Sequence, residues 1–208
     1  MKSLTRRAFA TTIGKFTAVL GIGTTVSMTT ACPAWLQSIW TDLKDYAPTV
    51  LAAVATVISI LTGAGVLSLP LSAIISGIVS LISKAITDLQ VAVNNYQTAP
   101  SSQKSTLLGQ VATALADAEA NIQAFWSDLT IPDPQLAATI QNLLAVVVST
   151  LQGYINSLGV TPSPTPAVMA RASLSRTINV PAKRRSLSQF KSDFNAVLKP
   201  TSYNNHAL

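Results

Sequence analysis

Residues 108–129 read LGQVATALADAEANIQAFWSDL and carry the clearest periodic pattern in the chain. Apolar residues recur in them at alternating spacings of three and four: Leu108, Val111, Leu115, Ala118, Ile122, Phe125 and Leu129. This spacing places all seven residues on one face of an α-helix, as expected for a helix that packs against others. The stretch therefore predicts one helix of a helical bundle.

The next segment toward the C-terminus has clear signals at both of its ends. Asp133 is a favoured N-cap residue, and Pro134 suits the first helical position because a proline lacks the N–H that would have no partner there. Gly159 is a typical residue just beyond a helix C-terminus. An apolar stripe at helical spacing lies between them: Leu136, Ile140, Leu143, Val147, Leu151 and Ile155. We therefore predict a second helix between Asp133 and Gly159.

Three further helices are predicted on the N-terminal side. Residues 33–46 carry an apolar stripe at helical spacing, and a separate helix is expected to begin at Pro48, since proline favours the first turn. Gly63 and Gly65 end that helix, and a third runs from about Ser68 to Asn95. Sustained alternation of apolar and polar residues, the mark of strands, is absent. The predicted fold is all-α, an antiparallel bundle of four to five helices over residues 33–160.

The last 48 residues, 161–208, have a different composition. They open with TPSPTP (161–166), which favours an extended proline-rich linker. The remainder is basic and without sustained period, so we expect a largely irregular, unpacked tail. It permits one short amphipathic helix that could dock on the bundle, with its apolar side formed by Phe190, Phe194, Val197 and Leu198.

The first 32 residues have the organisation of an export signal. Basic residues precede a mild apolar run from Phe16 to Met28, and small residues follow it. The segment Thr5-Arg6-Arg7-Ala8-Phe9 resembles the twin-arginine export motif, whose recognised positions here are Arg6, Arg7 and Phe9. The resemblance implies export from a bacterial cytoplasm.

Cys32 is the single cysteine of the chain, so an intramolecular disulfide is excluded. The segment Thr30-Ala31-Cys32 resembles the cleavage box of bacterial lipoproteins, although Thr29 stands where Leu or Val is usual. The resemblance implies lipidation of Cys32, and simple cleavage near Ala31 is the alternative. We expect a protein of the periplasm or cell envelope, tethered to the membrane through an N-terminal lipid.

Charge is distributed unevenly along the chain. Residues 33–160 hold three lysines and seven carboxylates, a net charge of −4, whereas residues 161–208 hold seven basic residues and Asp193 alone, a net charge of +6. The run Lys183-Arg184-Arg185 predicts contact with anionic surfaces, namely phospholipid headgroups or acidic envelope polymers. Docking of the tail onto the acidic body is the alternative. Nucleic acid does not fit the expected compartment.

No charged residue occurs among the 38 positions from Tyr46 to Ser83. These positions could form bundle core, a hairpin that inserts into a bilayer, or the lining of an apolar ligand cavity. The hairpin arms predicted on either side of Gly63–Gly65, about 14 and 17 residues long, are shorter than the roughly 20 residues that span a bilayer. We interpret the stretch as bundle core.

The residue types needed for catalysis are scarce. The single histidine, His206, lies near the C-terminus, so a Ser-His-Asp or Cys-His pair and a zinc site are not expected. The carboxylate pairs Asp42/Asp45 and Asp117/Glu119 are interpreted as solvent-exposed. We predict no enzymatic activity, no cofactor and no metal.

The tryptophans Trp35, Trp40 and Trp126 are interpreted as core and rim residues, with headgroup-level membrane contact as an alternative for the first two. Together these patterns predict an exported, envelope-associated helical-bundle lipoprotein with a structural or interaction role. The alternative is a membrane-active protein that inserts the apolar hairpin 47–83 into a bilayer.

Overall fold

Helices form the regular structure of this chain. The computed structural model describes residues 34–66, 71–96, 98–163, 165–166, 169, 174 and 176–208, and among them no strand occurs. The helices are α1 (Ala34–Gly63), α2 (Leu71–Asn95), α3 (Ser101–Asp128), α4 (Pro134–Ser157), α5 (Leu187–Leu198) and a 3₁₀-helix (Asn204–His206). The predicted all-α class is confirmed for the described residues. Residues Cys32–Leu208 form one compact unit by themselves.

The two helices with the clearest sequence patterns, α3 and α4, lie at the centre of this unit. Helix α3 packs on α2 and α4, and α4 also contacts α1 and α5. All the apolar stripe residues predicted for these two helices are buried. Many further positions of α3 are alanines, whose small side chains allow neighbouring helices to approach closely. Burial of these apolar stripes stabilises the packing of α3 and α4 in the bundle.

The predicted ends of α4 are confirmed. The Asp133 carboxylate accepts a hydrogen bond from the Gln135 backbone N–H (2.9 Å), and Pro134 is the first helical residue. Gly159 has a φ of 66°, a left-handed conformation that favours glycine after a helix. Local chemistry therefore set both ends of this helix.

The predicted helix boundary at Pro48 is wrong, because α1 is one continuous helix of 30 residues with Pro48 inside it. Proline inside a helix removes one backbone hydrogen bond and crowds the carbonyl four residues earlier, here that of Lys44. Both Pro48 and Lys44 are exposed, so water can reach the carbonyl that has lost its donor. Buried residues on both sides of the proline, such as Tyr46 and Val50, hold the two halves in one helix.

The continuous α1 also corrects the predicted length of the hairpin arm. At 1.5 Å per residue α1 is about 45 Å long, enough to cross a bilayer by length alone. Ala53, Val57 and Leu61 in its C-terminal half are nevertheless fully buried inside this protein. Gly65, with a φ of 70°, allows the tight turn that follows α1.

The C-terminal region differs from the expectation of an unpacked tail. The permitted short helix is present as α5, and its residues Phe190, Phe194 and Leu198 are buried against α4 and α1. A capping box begins this helix: the Ser186 hydroxyl accepts from the Gln189 N–H, and the Gln189 side chain accepts from the Ser186 N–H. Residues 177–185 lack regular secondary structure, as expected, and most of them are exposed, but Ile178 is buried and the segment is hydrogen-bonded to the helices.

Candidate functional site

An extended segment, residues 176–186, crosses the bundle between α3 and α5, and we call it the C-terminal strap. Its composition favours an extended backbone, since Thr177, Ile178 and Val180 are β-branched and Pro181 disfavours helical geometry in the residue before it. The strap contains the basic run predicted to contact anionic surfaces. It is held to the bundle at three places.

The first place is at the C-terminal half of α3. Arg176 donates a hydrogen bond to the Leu129 carbonyl (2.9 Å), and its guanidinium carbon lies 4.0 Å from the centre of the Trp126 ring. The fully buried Gln123 side chain forms two hydrogen bonds with the backbone of Ile178, at 3.0 Å to its carbonyl and 2.7 Å from its N–H. The Gln123 side-chain amide therefore satisfies both backbone groups of Ile178, as the backbone of a neighbouring strand does in a sheet.

The second place is on α4. The Lys183 N–H donates to the Ser149 carbonyl (2.9 Å), and the Ser149 hydroxyl donates to the Pro181 carbonyl (2.6 Å). The strap backbone passes so close to Gly153 that a Cβ there would lie less than 3.0 Å from the backbone of Lys183 and Arg184. Only glycine fits at this crossing without a shift of the backbone.

The third place joins the basic run to three elements. Arg185 binds Asp193 on α5 through Nε (2.7 Å) and donates from Nη1 to the hydroxyls of Ser149 and Thr150 on α4, both at 3.0 Å. Arg184 forms an ion pair with Asp42 on α1. The hydrogen bond from Arg185 is the main cause that holds the pKa of Asp193 below its ordinary value.

Lys183, Arg184 and Arg185, which were predicted to contact external anionic surfaces, thus lie next to carboxylates of the same chain. Lys183 is 3.6 Å from Asp193. The side chain of Arg185 is only 10% exposed, that of Arg184 is 35% exposed and that of Lys183 is 56% exposed. The geometry favours intramolecular docking over contact with an external anion for the two arginines.

An aromatic cluster lies directly under the basic run. The Tyr46 and Tyr154 rings are 5.4 Å apart in an edge-to-face arrangement, and Phe190 and Phe194 extend the cluster. The Tyr46 hydroxyl donates to the Arg185 carbonyl, whereas the buried Tyr154 hydroxyl has no hydrogen-bond partner among the described residues. Burial is the main cause that raises the pKa of both hydroxyls above the ordinary tyrosine value.

An open groove of about 590 Å³ lies between α2, α3 and residues 160–163. Polar side chains line much of it, including Lys84, Gln110 and Asp117. The proline-rich linker is held along α3 beside it, because the Ser163 N–H donates to the Thr113 hydroxyl (3.0 Å) and Thr165 donates to Asp117. The groove is open to solvent and its lining is partly polar and partly apolar, so it is not an enclosed apolar cavity.

One of the carboxylates interpreted as exposed is buried. Glu119 on α3 accepts a hydrogen bond from the Gln152 side chain on α4 (2.8 Å) and is 2% exposed. No local sequence pattern indicates this burial, because the hydrogen-bond partner of Glu119 lies 33 residues away. Among the described residues no group of three or more His, Cys, Asp or Glu side chains could hold a metal ion.

The residues of the predicted export signal and lipidation site, Arg6, Arg7, Phe9 and Cys32, lie outside the described residues. Two of the described helices, Ala34–Gly63 and Pro134–Ser157, are long and apolar enough to cross a membrane, with mean hydropathies of 1.7 and 1.4. Core helices of soluble proteins share these properties, so the finding by itself is weak evidence for a membrane span.

Comparison of this chain with protein-family models, with curated proteins and with solved structures found no match.

Proposed function

We propose that this chain is an exported bacterial protein of the cell envelope, tethered to a membrane by lipid on Cys32 and acting by structure or interaction. In this proposal residues 33–160 form an antiparallel bundle that the linker and the C-terminal strap complete. Support for export comes from the resemblance of Arg6, Arg7 and Phe9 to a twin-arginine motif. Support for lipidation comes from Thr30-Ala31-Cys32.

One observation outside the predicted export signal also supports the proposal. The described helix α1 starts at Ala34, only two positions after Cys32 in the sequence. A lipid on Cys32 would leave no long tether, and the start of α1 would lie at the membrane surface. Folded structure that starts this close to the acylated residue suits a protein that presents its bundle directly on a membrane.

The C-terminal strap supports a role in structure or interaction rather than in catalysis. Arg184 pairs with Asp42 on α1, and Arg185 pairs with Asp193 on α5 and binds two hydroxyls of α4. This use of the basic residues stabilises the bundle. Contact with anionic headgroups or acidic envelope polymers remains part of the proposal for Lys183, whose side chain is the most exposed of the three.

Mass spectrometry of the mature N-terminus tests the proposal. In a bacterial host that exports and acylates lipoproteins, we expect a chain that begins at Cys32 and carries acyl groups on it. Cys32→Ser should release the protein from the membrane fraction without changing its helical circular dichroism, and Arg6→Lys with Arg7→Lys should retain it in the cytoplasm. A mature chain with an unmodified Cys32 would rule out the lipid tether.

The second candidate is a membrane-active protein that inserts the hairpin 47–83. The observations that favour it are the 38 uncharged positions from Tyr46 to Ser83 and the length of α1. Burial of Val57 and Leu61 inside the bundle opposes it, since these side chains would have to leave the core. A chain that starts at Cys32 and stays soluble and monomeric without detergent or membrane contradicts permanent insertion. Insolubility, with the fold retained only in detergent, would support it.

A further inference from the structure

The three tryptophans of the chain occupy very different environments. Trp40 and Trp126 are 4% and 2% exposed, as expected for core residues, whereas Trp35 in the first turn of α1 is 43% exposed. An indole is large and mostly apolar, so leaving it in water forgoes a substantial burial free energy. Among the described residues, Trp35 is therefore the exposed aromatic side chain that is available for an outside partner.

Trp35 is not isolated on the surface. Its ring contacts that of Tyr96 edge-to-face, with centroids 6.2 Å apart, and the Lys104 ammonium lies 4.8 Å from the centre of the Tyr96 ring. These residues come from the start of α1, the end of α2 and the start of α3. We call the group formed by Trp35, Tyr96 and Lys104 the aromatic end surface.

The charge of this end of the bundle suits an anionic partner. Residues 34–41 and 90–108, which lead into and out of the aromatic end surface, contain no carboxylate, and Lys104 is their one charged residue. Helices α1 and α3 both begin here and α2 ends here, so the partial positive charges of two helix N-termini are offset only in part by the partial negative charge of one C-terminus. The acidic residues of α1 and α2 that are nearest along the chain, Asp42 and Asp88, lie about two helical turns away along their helices.

We propose that the aromatic end surface docks into the headgroup layer of an anionic phospholipid bilayer. Amphipathic Trp and Tyr rings are enriched at this level of membranes, and a lysine adds attraction to anionic lipid. This proposal rests on the proposed function for the presence of a membrane here, because a lipid on Cys32 would hold Trp35, three residues later, close to the bilayer. Docking turns a lipid tether into an oriented attachment, with the N-terminus of α1 toward the membrane and the turn at Gly63–Gly65 away from it.

The single thiol of the chain allows a test that does not depend on acylation in the cell. The chain from Cys32 to Leu208, a compact unit by itself, is coupled through Cys32 to maleimide lipids in phosphatidylglycerol–phosphatidylcholine vesicles. Lipids with brominated or nitroxide-labelled chains at different depths then quench tryptophan fluorescence. We expect strong quenching at shallow depth, and Trp35→Phe should remove it, because Trp40 and Trp126 are enclosed by protein.

Matched variants separate docking from simple proximity to the vesicle. Lys104→Gln should weaken docking about fivefold in anionic vesicles, whereas Lys44→Gln, an exposed lysine further along α1, should leave it unchanged. Coupling through Thr62→Cys in a Cys32→Ser chain attaches the exposed opposite end of α1, and shallow quenching of Trp35 should then disappear.

Equal quenching of the wild-type and Trp35→Phe chains coupled at Cys32 would overturn the docking proposal and leave the aromatic end surface for a protein partner. Equal quenching from both attachment points would also overturn it, because orientation would then play no part. An unmodified Cys32 in the cell would contradict the lipoprotein proposal alone, since the chemical coupling supplies the tether in this experiment.

Discussion

Gly153 on α4 and Arg184 in the C-terminal strap are in backbone contact, with no room for a side chain between them. This crossing allows the strap to reach Asp42 on one side and Asp193 on the other. A helix that was predicted from its own apolar stripe thus also supplies the surface on which a distant segment folds. Predictions about the strap begin at this contact.

Gly153→Ala should destabilise the protein by about 1–3 kcal/mol, because the added methyl group forces the strap backbone or α4 to move. Urea denaturation measures the effect. Gly109→Ala in α3 is the matched control: a Cβ there meets nothing within 4 Å, and alanine has the higher helix propensity, so stability should rise by about 0.5–1 kcal/mol. A Gly153→Ala chain as stable as wild type would mean that the strap does not pack at this crossing.

Gln123→Leu should cost about 2–4 kcal/mol, because it leaves the buried N–H and carbonyl of Ile178 without their partners. Hydrogen exchange gives a local readout: the Ile178 amide should lose its protection while the α4 amides keep theirs. Gln110→Leu, an exposed position on the same helix, should change neither quantity appreciably. Unaltered protection of Ile178 in Gln123→Leu would contradict the pairing.

The ion pair between Arg185 and Asp193 predicts a pH dependence of stability. The pKa of Asp193 is lowered in the folded protein, mainly by the hydrogen bond from Arg185, so its contribution is present above the unfolded pKa of about 4. That contribution is lost as the pH falls from about 4 through the lowered pKa. The stability difference between wild type and Asp193→Asn should therefore be largest near neutral pH and shrink below pH ~4.

A double-mutant cycle provides the control for this pH effect. In an Arg185→Gln background, Asp193→Asn should change stability much less at neutral pH, because the main partner of the carboxylate is already absent. An Asp193→Asn effect of the same size in both backgrounds would show that the two side chains are not coupled.

Pro48→Ala should stabilise the protein by about 1–3 kcal/mol, because alanine restores a backbone hydrogen bond in the middle of α1 and relieves crowding at the Lys44 carbonyl. Pro134→Ala is the matched control at the first position of α4, where proline is favoured, and we expect no stabilisation there. Thermal denaturation of both variants measures the contrast. A fall in stability with Pro48→Ala would indicate that the proline is required for the packing of α1.

The two buried tyrosines should respond differently to removal of their hydroxyls. Tyr46→Phe takes a hydrogen-bond donor from the Arg185 carbonyl and should cost about 0.5–1.5 kcal/mol. Tyr154→Phe removes a buried hydroxyl that has no partner among the described residues, and it should be neutral or stabilising. Denaturation of the two single variants gives the comparison, and equal losses would contradict the different environments of the two hydroxyls.

Much of the bundle could be predicted from the sequence. The stripes of α3 and α4 depend on neighbours three and four positions apart, and the limits of α4 depend on Asp133, Pro134 and Gly159. These are local effects, so a single sequence contains them. Pro48 was misjudged because the local preference for a helix start there is overridden by burial of Tyr46 and Val50 on both sides.

The candidate sites could be predicted only in part, because their residues are far apart along the chain. Gln123 meets Ile178 across 55 positions, and Arg184 meets Asp42 across 142. The sequence predicted that Lys183, Arg184 and Arg185 would contact negatively charged groups. It did not identify the partner, because a basic side chain is attracted equally to a lipid headgroup and to a carboxylate of this chain.

By itself the sequence determined the helical class, the ends of α4 and the acidic body with a basic tail, because these follow from local spacing and composition. Only the tertiary structure decided that Gln123 and Glu119 are buried, that the strap crosses at Gly153, and that Trp35 is left exposed beside Tyr96. These outcomes depend on packing between residues that are far apart in the sequence. The residues that stabilise such packing cannot be identified from a local pattern.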